Sequence, residues 1–269
     1  MSSAAIPAPR PRRRWIWVIV AVLTALVAVP PFALRIGLKA DIQHQTVPVP
    51  VAARPVSDLR VTAPGGNVEI SRGTGRRVTI TSTAAWLVRK PVLAQAWSGR
   101  TLQVSAACPR LDPFEDCQES LAVQVPAGLT VAVAVGSGSV SAQGLTGPLH
   151  LTATSGAFML TDVRGPVWAS VTSGSISAQG LLSARLHASA RSGSLALDFA
   201  SPPQLLALTV GSGSASVTVP PGTRYRVSVR AGHPAPGSVH LQPGLGGGTS
   251  AQVITASVGT GSLEIWYPN

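Results

Sequence analysis

The motif Ser137-Gly138-Ser139-Val140 recurs four more times before Val219, and the residues around it recur with it. The later copies are Ser155-Gly156-Ala157-Phe158, Ser173-Gly174-Ser175-Ile176, Ser192-Gly193-Ser194-Leu195 and Ser212-Gly213-Ser214-Ala215. Successive glycines are 18, 18, 19 and 20 residues apart. A near-constant period of this length is typical of repeat proteins, in which each repeat packs against its neighbours.

Apolar residues alternate with small polar residues on both sides of every one of these glycines. Seven, five and three positions before the glycine lie Val131, Val133 and Val135 in the first copy, and two and four positions after it lie Val140 and Ala142. The period of two predicts two β-strands that meet at a glycine corner. Because so small a unit cannot bury its apolar side alone, we expect an all-β fold. Its architecture would be a single-stranded β-solenoid with two strands per coil of about 18–20 residues.

Outlying copies extend the repeat over residues 56–269. Leu59, Val61 and Ala63 precede Gly66, and Ile254, Ala256 and Val258 precede Gly261, in the same spacing. A weaker copy surrounds Gly237, with Val227 and Val229 before it and Val239 and Leu241 after it. Aromatic residues make up 4% of the chain and apolar residues 45%, which favours short strands with many turns over long helices or disorder.

The N-terminal residues predict a membrane anchor. Residues 1–14 carry Arg10, Arg12, Arg13 and Arg14, and residues 15–34 contain no charge. About 20 apolar residues span a bilayer, and flanking arginines keep their side in the cytoplasm. We therefore expect a cytoplasmic tail (1–14), a transmembrane signal anchor in the lipid bilayer (15–38), a Pro-rich linker (39–55) and an extracytoplasmic domain (56–269). A cleaved signal peptide and a buried helix are the alternatives.

The formal charge of +11 does not indicate nucleic-acid binding. The basic residues outside the tail are scattered and not interleaved with aromatic residues, and the domain is expected outside the cell. Attraction to anionic polymers or lipid headgroups of the envelope accounts for the charge more simply.

Cys108 and Cys117 are the two cysteines, and they flank a short charged loop. In an extracytoplasmic domain such a pair is expected to form a disulfide. A metal site is disfavoured because no Cys-x-x-Cys motif and no nearby histidine accompany the pair, and no feature that would activate a thiolate is present.

The outward positions of the predicted strands hold the candidate binding residues. Six positions before the glycine lie His150, Trp168 and His187, on three consecutive coils. A tryptophan between two histidines could stack on a sugar ring, whereas a loop covering the row would make it ordinary core. Metal binding is disfavoured, because histidines two coils apart are about 9–10 Å apart and zinc needs nitrogens about 2 Å from one ion. The remaining outward rows are mostly Ser and Thr, which are expected to form hydroxyl ladders across the coils.

Catalytic chemistry is not predicted. Asp162 and Asp198 are the acidic residues between positions 120 and 263, and they occupy different registers, so no carboxylate pair is placed for glycoside hydrolysis. No nucleophile triad or phosphate loop is visible, and no metal or other cofactor is indicated.

Four features together resemble a known family. These are the anchor, the cysteine-flanked loop, the turns Val125-Pro126-Ala127-Gly128 and Val219-Pro220-Pro221-Gly222, and the Ser-Gly-Ser runs. They resemble the putative-adhesin β-strand-repeat family of bacterial, especially actinobacterial, envelope proteins, over residues 56–269. The family often has an acidic residue after Ser-Gly, where this chain usually has Ser. Its function is unassigned, so the resemblance implies a structural repeat and transfers no catalytic residue.

The sequence therefore predicts a membrane-anchored, noncatalytic module of the cell envelope that binds a glycan, a wall polymer or a protein. One alternative is a structural protein that polymerises through the solenoid ends, for which residues 263–267 would supply an apolar, uncapped end strand. Another is an accessory component of an envelope signalling system.

Overall fold

The computed structural model describes residues 19, 22, 24, 43–52, 54–86, 92–107, 117–232, 239–245 and 250–268. The chain divides into two compact units, Met1–Gln43 and His44–Asn269. In the first unit, Ile19, Val22 and Thr24 are helical. No helix among the described residues combines the length and the apolar character that a membrane crossing requires. The predicted tail (1–14) and all but three residues of the predicted anchor (15–38) lie outside the described residues.

The second unit is all-β, as predicted. Its strands are β1 (Gln43–Val49), β2 (Asp58–Ala63), β3 (Asn67–Arg72), β4 (Thr79–Trp86), β5 (Val92–Ser98), β6 (Thr101–Ala107), β7 (Cys117–Val125), β8 (Thr130–Gln143), β9 (Leu149–Thr161), β10 (Val167–Leu181), β11 (Arg185–Phe199), β12 (Leu205–Thr218), β13 (Arg226–Ala231), β14 (Val239–Leu241), β15 (Val253–Val258) and β16 (Ser262–Trp266). The strand β1 lies in the segment predicted to be a linker, and it pairs with β4.

The five central repeats form parallel strands in the register that the glycine spacing predicted. β8, β9, β10, β11 and β12 pair in this order. Gly138, Gly156, Gly174, Gly193 and Gly213 are directly opposite one another along the row. The apolar rows stay aligned as far as Ala178 and Leu197, and the register shifts between Ala178 and Leu181, at the end of β10.

Each central repeat is one long strand, whereas the sequence predicted two. In β8, alternate residues up to Val135 are buried, and after Gly138 the alternation resumes at Val140 with the opposite phase. A change of phase within a strand means that the chain turns its other side to the core, as expected at the predicted corner. Hydrogen bonding continues through the corner, so the strand is not interrupted. In the outlying repeats the same corner separates two strands, such as β2 and β3.

The glycine at the corner is required by the close approach of neighbouring backbones. A Cβ atom at Gly174 would overlap the carbonyl oxygen of Gly156, and one at Gly193 would overlap that of Gly174. The same relation holds from Gly66 through Gly138, Gly156, Gly174, Gly193 and Gly213 to Gly261. Gly174 has a φ of 151°, which also disfavours residues with a side chain.

The outlying repeats join the stack in an order that differs from their order in the chain. β2 and β3 pair with β8, and β6 and β7 lie outside them. At the other end, β15 and β16 pair with β12, and β13 and β14 lie outside them. The first and the last repeats of the chain are therefore each enclosed between two other layers.

The two Val-Pro turns mark the places where the chain skips a layer. The turn at Pro126 leads from β7 to β8 past the layer of β2 and β3, and the turn at Pro220 leads from β12 to β13 past the layer of β15 and β16. Gly128 and Gly222 have φ values of 77° and 80°, which glycine adopts at little cost. Both turns were predicted, but their role in the layer order was not.

The two ends of the stack are closed differently. At one end β4 and β5 run antiparallel to β7 and β6. At the other, β13 and β14 are the outermost of the described strands. The prediction that residues 263–267 form an uncapped end strand is wrong, because β16 lies between β12 and β14. Pairing on both sides leaves this strand no free edge.

Candidate functional site

The predicted row of His150, Trp168 and His187 lies on one face of the unit in direct register. Trp168 on β10 is opposite His150 on β9 and His187 on β11. All three side chains are exposed, and Trp168 retains 41% of its accessible surface. The side chains point outward because the alternate residues Val167 and Ala169 are buried in the core. The register and exposure of the row are thus as predicted.

His150 and Trp168 form a stacked aromatic pair, here called the aromatic platform. Their ring centroids are 4.5 Å apart and their planes differ by 3°. Parallel rings at this distance lie face to face, so one face of the indole packs on the imidazole while Trp168 stays 41% exposed. The stacking orders the indole, so part of the cost of immobilising the side chain on binding is already met. His187 lies on the other side of Trp168, and the three rings occupy consecutive strands.

A groove runs beside the platform. Its floor contains Ala132 and Ala134 on β8, and its sides are formed by Arg60 on β2 and by His150 on β9. The groove has a volume of about 700 Å³. It exists because β8 has alanine at outward positions where both neighbouring strands carry larger side chains.

Charge differs between the two outward surfaces of the stack. The surface formed by strand segments before the glycine corner, here called the basic face, carries Arg60, Arg185, Arg191, Arg226 and Arg230, and among its described strand residues Asp58 is the carboxylate. The surface formed by segments after the corner, the acidic face, carries Glu69, Asp198 and Glu264, with Arg72 at the end of β3. The aromatic platform and the groove lie on the basic face.

The outward hydroxyl groups hydrogen-bond partly to one another across adjacent strands and partly to the backbone of a neighbouring strand. Ser189 donates to Ser170 across adjacent strands at 2.9 Å. Thr152 instead donates to the carbonyl of Val133 at 3.4 Å, and Thr255 to that of Leu206 at 3.4 Å. These hydroxyls are therefore partly occupied with the backbone of the neighbouring strand.

The structure brings Asp162 and Asp198 to either side of Gly180, although their registers differ. The Gly180 N–H donates to Asp198 Oδ2 at 3.5 Å, and Asp162 follows β9, on the other side of β10. The two residues lie on either side of β10, about 9–10 Å apart by strand spacing, and both carboxylates lean toward Gly180. This proximity was missed because the bulged end of β10 shifts the register there.

A second cavity contains a buried carboxyl group. It lies between β1, β4 and β5, has a volume of about 340 Å³, and includes Val47, Val49 and Leu93 in its lining. Glu119, which is 6% exposed, also lines it and accepts a 3.4 Å hydrogen bond from Ser82. Burial raises the pKa of Glu119, and the Ser82 hydrogen bond offsets part of this rise. This carboxyl group was not singled out from the sequence.

The predicted disulfide cannot be placed beside these features. Cys117 begins β7 opposite Trp86, and Cys108 lies outside the described residues. The pairing of Cys108 with Cys117 stays a prediction.

The basic face and its groove were also missed, although the sequence contains the signal. Arg60, Arg185 and Arg191 all precede their corner glycines, by six, eight and two positions, whereas Glu69 and Asp198 follow theirs. Sorting the charged strand residues by their offset from the glycine would have placed most arginines before the corner and most carboxylates after it, with Asp58 and Arg72 as exceptions. Considered along the chain, the same residues look scattered.

No protein-family model matches the chain, and no curated protein matches it. Among solved structures, it is similar to a putative adhesin from Bacteroides fragilis NCTC 9343, with 14% identity, 83% of this chain and 97% of that chain covered, and a TM-score of 0.43. It is similar to a putative cell adhesion protein from Clostridium sporogenes ATCC 15579, with 10% identity, coverages of 84% and 99%, and a TM-score of 0.40. It is also similar to a putative lipid binding protein from Parabacteroides distasonis ATCC 8503, with 9% identity, coverages of 83% and 97%, and a TM-score of 0.37.

Proposed function

We propose that residues 56–269 form an extracytoplasmic β-solenoid that binds a glycan of the cell envelope without transforming it. The observation that carries this proposal is the platform of Trp168 and His150, which is exposed and already stacked. Sugar rings present a face of C–H groups that packs on an aromatic ring. A rigid indole provides this contact at low conformational cost.

The surroundings of the platform support a glycan as the ligand. Ser170 and Thr152 lie two residues after Trp168 and His150 on the same outward side of their strands, so hydroxyl groups flank the platform. The groove over Ala132 provides space for a second sugar residue of the same polysaccharide. An aromatic contact flanked by polar groups suits a polysaccharide better than an apolar protein surface, which would favour a wider apolar patch.

The uncharged segment of residues 15–34 supports attachment to a membrane. With Arg10, Arg12, Arg13 and Arg14 before it, the proposed anchor (15–38) would leave the N-terminus in the cytoplasm and place the β-unit outside. The protein would then present the basic face to polymers of the envelope.

The alternative that the protein polymerises through its ends relied on residues 263–267 as a free end strand. This strand, β16, is enclosed by β12 and β14. The outermost strand β13 carries Arg226 and Arg230, and exposed charge on an edge strand opposes edge-to-edge pairing. A glycan-binding role is therefore the function that the geometry supports best.

The proposal is tested with the full chain in a nonionic polyoxyethylene detergent, by biolayer interferometry on immobilised polysaccharides, both neutral (dextran) and acidic (polygalacturonate). Trp168→Ala is expected to weaken binding about tenfold, since an aromatic contact is worth about 1 kcal/mol or more. Trp266→Ala is the matched control, because Trp266 is exposed to a similar extent (39%) but belongs to the acidic face.

Equal affinities of Trp168→Ala and Trp266→Ala for every polysaccharide that binds would refute the platform as the site. Absence of binding to both polysaccharides by the unaltered chain would count against a glycan ligand of either type. Circular dichroism of each variant checks that the β-structure is retained.

A further inference from the structure

The arginines of the basic face are distributed along the stacking direction on both sides of the aromatic platform. Strands in a sheet are about 4.8 Å apart. Arg60 on β2 is three strands from Trp168 on β10, or about 14 Å along the stack. Arg185 and Arg191 lie on the adjacent strand β11, and Arg226 and Arg230 lie on β13, three strands further.

This arrangement is a band that runs along the stack. From β2 to β13 it covers seven strand intervals, about 34 Å, and from eight to two positions before the corner it is six residues, or about 20 Å, wide. A compact ligand could contact one of these positions, whereas an extended chain could contact several of them at once. Positive charges spread along the stack attract a partner whose negative charges are spread over a similar length.

We propose that the basic face binds an acidic polysaccharide, extended along the stack, whose sugar rings contact Trp168 and whose carboxylate or phosphate groups contact the arginines. This inference rests on the proposed glycan-binding function and adds the chemical class of the ligand. Guanidinium groups suit these anions because they form two parallel hydrogen bonds with one carboxylate or phosphate.

The opposite face supports the assignment. It has the same strand geometry and its own exposed tryptophan, Trp266, but its charged strand positions are Glu69, Asp198 and Glu264, with Arg72 at the end of β3. A polyanion is therefore attracted to one face and repelled from the other.

The experiment compares polygalacturonate with its fully methyl-esterified form, which has the same backbone without the charge. The full chain is used in polyoxyethylene detergent, with Arg10→Gln, Arg12→Gln, Arg13→Gln and Arg14→Gln in every protein so that the tail contributes nothing. Arg60→Gln/Arg185→Gln/Arg191→Gln is compared with the acidic-face control Glu69→Gln/Asp198→Asn/Glu264→Gln.

The expected result is binding to polygalacturonate at pH 7 that weakens about tenfold or more in the arginine variant, from the summed effect of three exposed ionic contacts. The control should bind as well as the parent or better. Affinity of the parent should also fall on raising NaCl from 0.05 to 0.5 M, because salt screens exposed charges.

Equal binding of the two polymer forms, with no effect of the arginine substitutions or of salt, would refute the proposal that the ligand is acidic. In that case, Trp168-dependent binding to the ester would leave the proposed function standing. Binding to vesicles containing phosphatidylglycerol but to neither polymer would also overturn the inference and would indicate a lipid surface instead. The salt dependence of the parent gives an answer even where the triple variant does not fold.

Discussion

Ile254 pairs with Leu206 on the neighbouring parallel strand, although Val227 follows Leu206 much sooner in the chain. Val227 pairs with the other side of Ile254. The last repeat therefore completes the stack from within, and β13 is added outside it. The same relation holds at the other end, where Leu59 lies between Val131 and Leu102.

This order of layers predicts that two similar side-chain truncations lower the unfolding free energy by different amounts. Ile254 is 0% exposed, so Ile254→Ala is expected to cost about 2–5 kcal/mol of unfolding free energy. Val227→Ala should cost clearly less, because Val227 is partly exposed on the outermost described strand. Urea denaturation of the full chain in nonionic detergent measures both. If β15 were instead the end of the stack, the ranking would be reversed or absent.

The row of corner glycines predicts that a single methyl group added at the corner lowers the unfolding free energy strongly. Gly174→Ala would place a Cβ on the carbonyl of Gly156, and the backbones of two paired strands would have to separate. We expect a loss of about 2–4 kcal/mol in the same urea experiment, from overlap and backbone strain together.

Gly99→Ala measures the cost of a positive φ without steric overlap. Gly99 has a φ of 61°, but a Cβ there would have no neighbour within 4 Å, so this variant reports the conformational cost alone, about 1 kcal/mol. Equal losses in Gly174→Ala and Gly99→Ala would show that backbone contact at the corner is unimportant.

The buried Glu119 predicts a contribution to folding stability that becomes less favourable as the pH rises. Because burial raises its pKa in the folded state, the folded protein binds the proton more tightly than the unfolded chain. The resulting destabilisation is absent at pH values below the unfolded pKa of about 4.3. It grows as the pH rises and is complete above the folded pKa.

Glu119→Gln should therefore raise the melting temperature at pH 7 and have little effect at pH 4, where the carboxyl group is protonated. Differential scanning calorimetry at several pH values measures this. Glu69→Gln, an exposed carboxyl on the acidic face, is the control and should not change the pH dependence in this way. A lower melting temperature of Glu119→Gln at pH 7 would mean that the charged form is stabilised in the folded protein.

The alternation around the Ser-Gly motifs was sufficient to predict an all-β fold, its register and the outward direction of His150, Trp168 and His187. These are local properties. A period of two assigns each side chain to one of two sides, and a constant distance from the glycine aligns one repeat with the next. The stacked contact of His150 with Trp168 follows from that alignment.

The order of the layers, the groove and the cavity around Glu119 were decided by tertiary structure. All repeats present nearly the same apolar sides and the same corner, so the local pattern does not determine which of them become neighbours. That choice depends on contacts between residues far apart in the chain, such as Leu206 and Ile254, and on the Val-Pro turns that direct the chain past a layer. The sequence by itself therefore determined how each repeat packs, and only the folded stack decided which repeats meet.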